Sequence, residues 1–436
     1  MQNVECRIMN KIDKRDNAEC RMQNVELGMT DADNNSTFLN PHSKLGKLIQ
    51  QYCPDGVEWK TFFDVCDYVR GITYNKSQEA KTPNGNAHKV LRANNITLHR
   101  NTLNFDDVKL VSTDVVVKPN QHLYEGDILM CAGSGSKEHV GKVAYIFQNM
   151  DYTFGGFMAV VRCKETIHPR YMFHILTSDY FSNHLDVQIN SSTINNINNQ
   201  VMQSFAFPLP PLPVQEEIVN ILDRFAVYAA ELQAELQARQ QQYNYYRDTL
   251  LSFEGREDVQ WKKLGEVCDI RRGIRVVKKQ LNDNGAYPVF QNSIPPMGYY
   301  DQCNREGNMP YVICAGSSSG SIGYCSSPFW AADDCFTVEG TQVNNRYAFH
   351  TLKKNNHKLF SQVRNGSMPR LPHDAIDNLI IPIPSLEEQE KIADILDRFD
   401  HLTNDLSQGL PAEIEARQQQ YEYYRDQLLT FKRKEV

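Results

Sequence analysis

The sequence predicts an α+β protein in which one module, a globular domain followed by a long helix, is written twice. Three observations predict this. Residues 208–253 (PLPPLPVQEEIVNILDRFAVYAAELQAELQARQQQYNYYRDTLLSF) contain neither Pro nor Gly after Pro213. Residues 382–431 repeat their blocks, with ILDRF at 221–225 and 395–399 and ARQQQY at 238–243 and 416–421. EWKTFFDVCDYVRGI at 58–72 matches QWKKLGEVCDIRRGI at 260–274, which sets a second globular start after the first helix.

The first helix is the clearest element. Ile218, Leu222, Phe225, Ala229, Leu232, Leu236, Arg239, Tyr243, Tyr246, Leu250 and Phe253 follow one another by alternating steps of four and three. That spacing is a heptad seam, which needs another helix to cover it. From Val214 to Phe253 such a helix is about 60 Å long. The second copy has four more residues between its shared blocks, close to one helical turn, so the seam survives the insertion. Gly409 and Pro411 fall between those blocks and predict a kink or restart of the helix.

Taken from its start, the chain of 436 residues favours two or more domains. Residues 1–42 are polar, with MQNVEC at 1–6 and MQNVEL at 22–27, and read as a leader of uncertain structure. No run approaches the ~18 apolar residues of a membrane span, so no membrane partner is expected. Eleven scattered cysteines without a CxxC pair suggest reduced, buried thiols in a cytoplasmic protein, neither a disulfide framework nor a zinc knuckle. A net charge of −7 argues against bulk electrostatic coating of nucleic acid but allows a local basic surface.

Within the globular parts, Val108–Val117, Asp127–Cys131, Phe157–Val161, Tyr287–Phe290 and Tyr311–Cys314 are expected strands, and His168–Phe181 and Asn345–Gln362 expected helices. The copies also share LMCAGSGSKEHVGKVAY (129–145) with VICAGSSSGSIGY (312–324), and YMFHIL (171–176) with YAFHTL (347–352). NSSTINNI (190–197) corresponds to NGSMPRLP (365–372).

No catalytic motif is present, and neither a metal nor a cofactor is expected. GSKEHVGKV from Gly135 has five residues between its glycines and no Ser or Thr after Lys142, so it is not a phosphate loop. His174 and His350 read as core histidines, and Cys131 and Cys314 as buried small residues.

By these blocks the chain resembles the specificity subunit of type I restriction–modification systems. PLPPLPVQEEIVNILDRF, IPIPSLEEQEKIADILDRFD, their ARQQQYxYYRDxLLxF tails and the paired WKxxxxVCDxxRGI openings carry the resemblance, over roughly Ser43 to Lys434. It implies two target-recognition domains, at 43–207 and 257–381, and two helical regions, at 208–256 and 382–436. The helical regions are expected to form an antiparallel coiled-coil spacer of pseudo-two-fold tandem-repeat design. The implied protein is non-catalytic and reads a bipartite site on double-stranded DNA. Its implied partners are two methyltransferase (modification) subunits and, through the complex, the restriction (translocase/nuclease) subunits.

Groove-reading chemistry on loops selects the DNA-contact candidates, since Arg and Lys suit guanine and Asn and Gln suit adenine. Aligning VLRANNI (90–96) with PVFQNSI (288–294) nominates Arg92, Asn94, Asn95, Gln291 and Asn292. Arg70 and Arg272 beside turn glycines suit phosphates, as do Ser134, Ser136 and Lys137 with Ser317, Ser318 and Ser319. Arg271, Arg275, Lys278 and Lys279 join Arg272 in a basic cluster, and Asn195, Asn196, Asn198 and Arg370 complete the set. For any one of these residues, simple solvation is the commoner role. Tyr243 and Tyr246 belong to the seam, whereas Tyr245 and Tyr423 lie off it and are the candidates for binding a partner. Two other readings fit the same residues: the recognition partner of a system whose restriction and methylation share one chain, and a coiled-coil adaptor without a DNA role.

Overall fold

The computed structural model describes residues 40–79, 87–98, 100–189, 196–364, 366–404 and 409–435. The expected leader therefore lies outside the described residues as far as Leu39. Two compact units divide the chain, one holding the residues up to Tyr228 together with Gln418–Val436, the other Ala229–Arg417. The cuts fall within helices, so each unit contains helix from both copies of the repeat.

In the first unit a four-stranded sheet orders Cys66–Arg70, Met158–Cys163, Ile128–Cys131 and Val143–Tyr145. Ile128–Cys131 (ILMC) is buried along its whole length, as expected of an inner strand covered on both faces. A second sheet orders Lys109–Ser112, Ala87–Leu91, Met150–Phe154 and His122–Leu123. The strand expected over Val108–Val117 ends early because Ser112 Oγ and Asp114 bond each other in a local turn. The helix expected over His168–Phe181 is two helices, Pro169–Leu176 and Asp179–Ile189. Pro169 opens the first of them, where a missing N–H costs nothing, and His168 caps it by accepting from Arg170 N.

The second unit repeats this plan. One sheet orders Cys268–Arg272, Cys335–Gly340, Met309–Ile313 and Ile322–Cys325, the other Gly298–Tyr300, Tyr287–Phe290 and Trp330–Ala331. Each unit also has a two-strand ribbon that leads into its helix. Glu58–Thr61 pairs with Ala206–Leu209, setting Trp59 opposite Pro208, and Gln260–Lys263 pairs with Ile380–Ile383, setting Trp261 opposite Pro382.

The first helix spans Leu212–Leu250, 39 residues or about 58 Å. Ile218, Leu222, Phe225, Leu232, Leu236, Tyr243 and Leu250 are buried along its seam. The later copy is two helices, Leu386–Asn404 and Leu410–Leu428, as Gly409 and Pro411 predicted.

Where globular domain meets helix, the two units use the same buried bonds. In the first, Tyr171 Oη donates to Pro208 O and the Gln215 side chain links His168 N with Pro210 O. Arg170 pairs with Asp223, and His174 lies 3.0 Å from Asp223 on one side and 3.0 Å from Tyr421 Oη on the other. Phe225 stacks on Tyr424. In the second, Tyr347 bonds Pro382 O and Gln389 links Asn344 N with Pro384 O. Arg346 pairs with Asp397, His350 sits between Asp397 and Tyr243, and Phe399 stacks on Tyr246. Both histidines are fully buried. Burial holds His174 down to about 4, and it lowers His350 as well, so both rings are neutral at pH 7. In each unit the tyrosine that meets the histidine and the tyrosine that stacks on the ILDRF phenylalanine come from the ARQQQYxYYRD block of the other copy.

Candidate nucleic-acid interface

In the first unit, strand Cys66–Arg70 ends at Gly71, whose Cα runs against the carbonyl oxygens of Phe154 and Gly155. A Cβ there would collide with backbone, so the position demands glycine. Gly71 N donates to Met158 O and Ile72 N to Phe154 O, which sews the strand end to the turn Gly155–Gly156–Phe157. Phe157 O accepts from both Ala132 N and Gly133 N, fastening the AGSGS loop to the same turn. The Arg70 guanidinium closes the cluster, donating to Gly156 O (2.8 Å), Ile197 O (3.1 Å) and Asn196 Oδ1 (3.3 Å).

The second unit builds the same framework. Gly273 N donates to Cys335 O and Ile274 N to Ala331 O, and a Cβ on Gly273 would strike the carbonyls of Ala331 and Ala332. Arg272 Nε donates to Asp333 O, the counterpart of the Arg70–Gly156 bond. Cys314 N donates to Asp334 O, Gly316 N donates to Pro369 O, and Arg370 pairs with the backbone at Ala315. Asn292 Cβ lies beside Gly316, which brings the QNS and AGSSS loops together.

The candidates divide into two groups on these frameworks. Arg70 and Arg272 spend donors on loop carbonyls, so part of their role is to shape the site. Asn95 is fully buried; its Oδ1 accepts from Arg92 N and its amide donates to Asn104 O, so it faces no solvent and the expectation of a DNA contact there is corrected. Ser319 is corrected on the same ground, because it is buried and its hydroxyl donates to Cys314 O. Asn195 lies outside the described residues.

The other candidates are exposed or half-buried. Arg92 and Asn94 both bond Asp107, at 2.7 and 3.2 Å. Ser134 accepts from Ser136 N, Ser136 and Lys137 are exposed, and Lys137 is 3.3 Å from Asp186. Asn196 holds Arg70, and exposed Asn198 caps the short helix that follows. Gln291 and Ser318 are half-buried, Asn292 and Ser317 exposed. Arg271 bonds Asp269, and Arg370 stands 3.9 Å from Asp334. Arg275, Lys278 and Lys279 are exposed, and their charges meet no carboxylate among the described residues. Exposed Ile274 and Val277 interleave with them.

Phe157, which the sequence placed at the start of a strand, instead ends the turn before Met158 with its ring in solvent. Its only sequence signal is the preceding Gly155–Gly156, which marks a turn. Tyr245 is 67% and Tyr423 55% exposed, each edge-on to an inward-facing tyrosine of the seam.

The chemistry of the clusters is that of binding. Cys131 and Cys314 are buried, and burial pushes their thiols up, Cys314 to about 11, so neither is a thiolate at neutral pH. Among the described residues there is no His, Cys, Asp and Glu grouping able to hold a metal ion, and no helix is long and apolar enough to cross a membrane.

Known proteins share both sequence and fold with this chain. Residues 54–239 and 256–416 match the family described as the type I restriction modification DNA specificity domain. A putative type I restriction enzyme specificity subunit of Haemophilus influenzae is 30% identical over 341 residues, covering 71% of this chain and 84% of that protein. The EcoR124I/EcoR124II specificity subunit of Escherichia coli is 32% identical over 270 residues, covering 55% of this chain and 66% of that protein. In fold, the chain is similar to the S subunit of a type I restriction–modification system from M. genitalium, with a TM-score of 0.55 at 16% identity over 86% of this chain and 96% of that one. The matched residues cover both loop clusters and most of the two helical copies, and the chain belongs to the type I restriction–modification DNA specificity family, as a specificity subunit and not a catalytic one.

Proposed function

We propose that the two units each read one half of a bipartite site on double-stranded DNA, using the loop clusters at Arg70–Gly71 and Arg272–Gly273. The domains at 43–207 and 257–381 are the readers, and the regions 208–256 and 382–436 hold them apart as an antiparallel coiled-coil spacer with pseudo-two-fold symmetry. Tyr245 and Tyr423 on the outer faces of the helices dock two methyltransferase subunits, and restriction subunits join through that complex in the cytoplasm. The solvent-facing candidates do the contacting: exposed Asn94, Ser136, Lys137 and Asn198 with half-buried Arg92, Ser134 and Asn196 in one unit, and Arg271, Arg275, Lys278, Lys279, Asn292, Ser317 and Arg370 in the other. Half-buried Gln291 and Ser318 stand behind them, with Arg70 and Arg272 at the base of each cluster.

One observation carries this reading. The same backbone bonds, Arg-Gly-Ile to the turn that links the two sheets and that turn to a small-residue loop, support different exposed side chains in the two units. A shared scaffold with divergent tips is what two readers of different half-sites require. The spacer reading is supported by the helix contacts: Phe225 meets Tyr424 in one unit, and Tyr246 meets Phe399 in the other. Later residues of one helix thus meet earlier residues of its partner.

Exchanging residues 59–205 for the matching segment of another family member tests the assignment. The methylated motif, mapped genome-wide, should change in one half and keep the other. An unchanged motif would remove the reading role. With a net charge of −7, the chain alone should bind DNA weakly and with steep salt dependence, and the assembled complex far more tightly.

A further inference from the structure

We infer that Phe157 contacts a base in the half-site read by the first unit, its ring packing against the C5-methyl edge of a thymine. The inference rests on the proposal that this unit is a DNA reader.

Phe157 is 74% exposed. A lone surface Phe is ordinary, so exposure by itself decides nothing. Its mounting is what matters. Phe157 O accepts two backbone N–H bonds from Ala132 and Gly133, Gly155 N donates to Leu91 O, and Met158 N closes the turn on Gly155 O at 2.7 Å. The turn that carries the ring is therefore fixed by four backbone hydrogen bonds, two of them at Phe157 O, and little backbone freedom remains to be lost on binding. Phe147, comparably exposed, differs because it packs edge-on against Tyr145 and lies under Arg170.

The surroundings of Phe157 are polar. Ser134 and Ser136 on the adjoining loop, Asn196 bonded to Arg70, and Arg92 beside Gly155 all belong to the cluster. An apolar anchor inside a ring of hydrogen-bonding groups is a common plan for a binding surface. The second unit supplies an internal comparison. Gly156 and Asp333 accept from Arg70 and Arg272, so the next residues, Phe157 and Asp334, occupy equivalent places. Asp334 is half-buried, with Arg370 3.9 Å away. The framework persists while this one tip changes from an aromatic ring to a carboxylate, which is the variation expected of a residue that discriminates between bases. A phenyl ring offers no hydrogen bond, and the apolar feature that bases present in the major groove is the thymine methyl.

The test uses the full chain assembled with its methyltransferase subunits. Genome-wide methylation mapping compares wild type with Phe157→Ala and Phe157→Leu, and binding to motif duplexes is measured with each thymine of the half-sites replaced in turn by uracil. The expected result is a relaxed preference for T·A at one position of one half-site in Phe157→Ala, retained in Phe157→Leu, with the other half-site unchanged. One uracil replacement should weaken wild-type binding roughly tenfold and leave Phe157→Ala binding no weaker than before. An unchanged motif in Phe157→Ala overturns the inference, as does a uracil effect of equal size in both proteins. Loss of co-purifying methyltransferase with an unchanged motif would assign Phe157 to a protein interface, which also overturns it. If the wild-type complex yields no two-part motif, the DNA-reader proposal fails and this inference falls with it, a result distinguishable from the others because it does not depend on Phe157.

Discussion

Tyr421→Phe should destabilise the first unit by about 1–3 kcal/mol while leaving its fold intact. The size follows from the tautomer of His174. Burial alone would raise the Asp223 carboxyl, but hydrogen bonds from His174 and Arg170 outweigh it and hold the group down at about 2, so it is ionised and can only accept. His174 Nε2 must then carry the ring's proton and donate it to Asp223, which leaves Nδ1 a bare acceptor. Tyr421 Oη, 3.0 Å away, supplies the donor for that nitrogen. Deleting the hydroxyl strands a lone pair on a fully buried ring, and the cost is that of an unsatisfied buried acceptor. Tyr243→Phe should cost a similar amount in the second unit, where it serves His350 at 3.1 Å. The two networks share no residue, so the double variant should lose close to the sum of the single losses. Urea unfolding with an unchanged slope is the assay. Single losses below about 0.5 kcal/mol in both variants would refute the assignment of these hydroxyls as obligatory donors.

The same histidines predict acid sensitivity. Folded His174 titrates near 4 against an ordinary ~6.5, so the unfolded chain binds the extra proton, and stability is complete above pH 6.5 and lost as pH falls toward 4. His174 alone can account for about 3 kcal/mol of that loss, and His350 acts in the same direction; a flat stability profile from pH 7 to 4.5 would contradict the burial argument. Gly71→Ala and Gly273→Ala each drive a methyl group into two carbonyl oxygens and should cost at least ~2 kcal/mol, measured by thermal unfolding. Alanine at Arg275, Lys278 and Lys279 should leave stability unchanged but lower the slope of log affinity against log salt by roughly one for each phosphate no longer neutralised, measured on the assembled complex. Paired Tyr245→Ala and Tyr423→Ala variants should fold normally and retain less methyltransferase on co-purification; full retention would exclude these rings from the interface.

Much of the architecture was legible because its signals are local. The four-and-three spacing of Ile218 through Leu250 is a property of one helix, and Ile218, Leu222, Phe225, Leu232, Leu236, Tyr243 and Leu250 on it are buried, while Ala229, Arg239 and Tyr246 are half-buried. Gly409 and Pro411 interrupt a continuous helix through local backbone chemistry, Pro411 being tolerated only because it falls in the first turn of the restarted helix. Tyr245 and Tyr423 could be placed on the outer face by counting from the seam. The loop candidates were less legible, since polar residues of one loop look alike in sequence. Asn94 and Asn95 are neighbours of identical type, yet one is exposed and the other fills a buried turn. Phe157 misled in the opposite sense, because apolar character in a β-rich run reads as core while the turn at Gly155–Gly156 rotates this residue out of the sheet.

The amino-acid order by itself determined the duplication, the two helical copies, the interruption in the second and the family resemblance, all of which rest on spacing within short windows. Only the tertiary structure decided which helix serves which globular domain. His174 finds its donor 247 residues away, on Tyr421, and His350 finds its donor on Tyr243 of the earlier copy. Both copies contain a Tyr in the same block, so composition and periodicity would allow each to serve its own half. Closing a buried polar network requires a hydroxyl at one point in space, and that condition is met by the folded path of the chain, not by proximity along it.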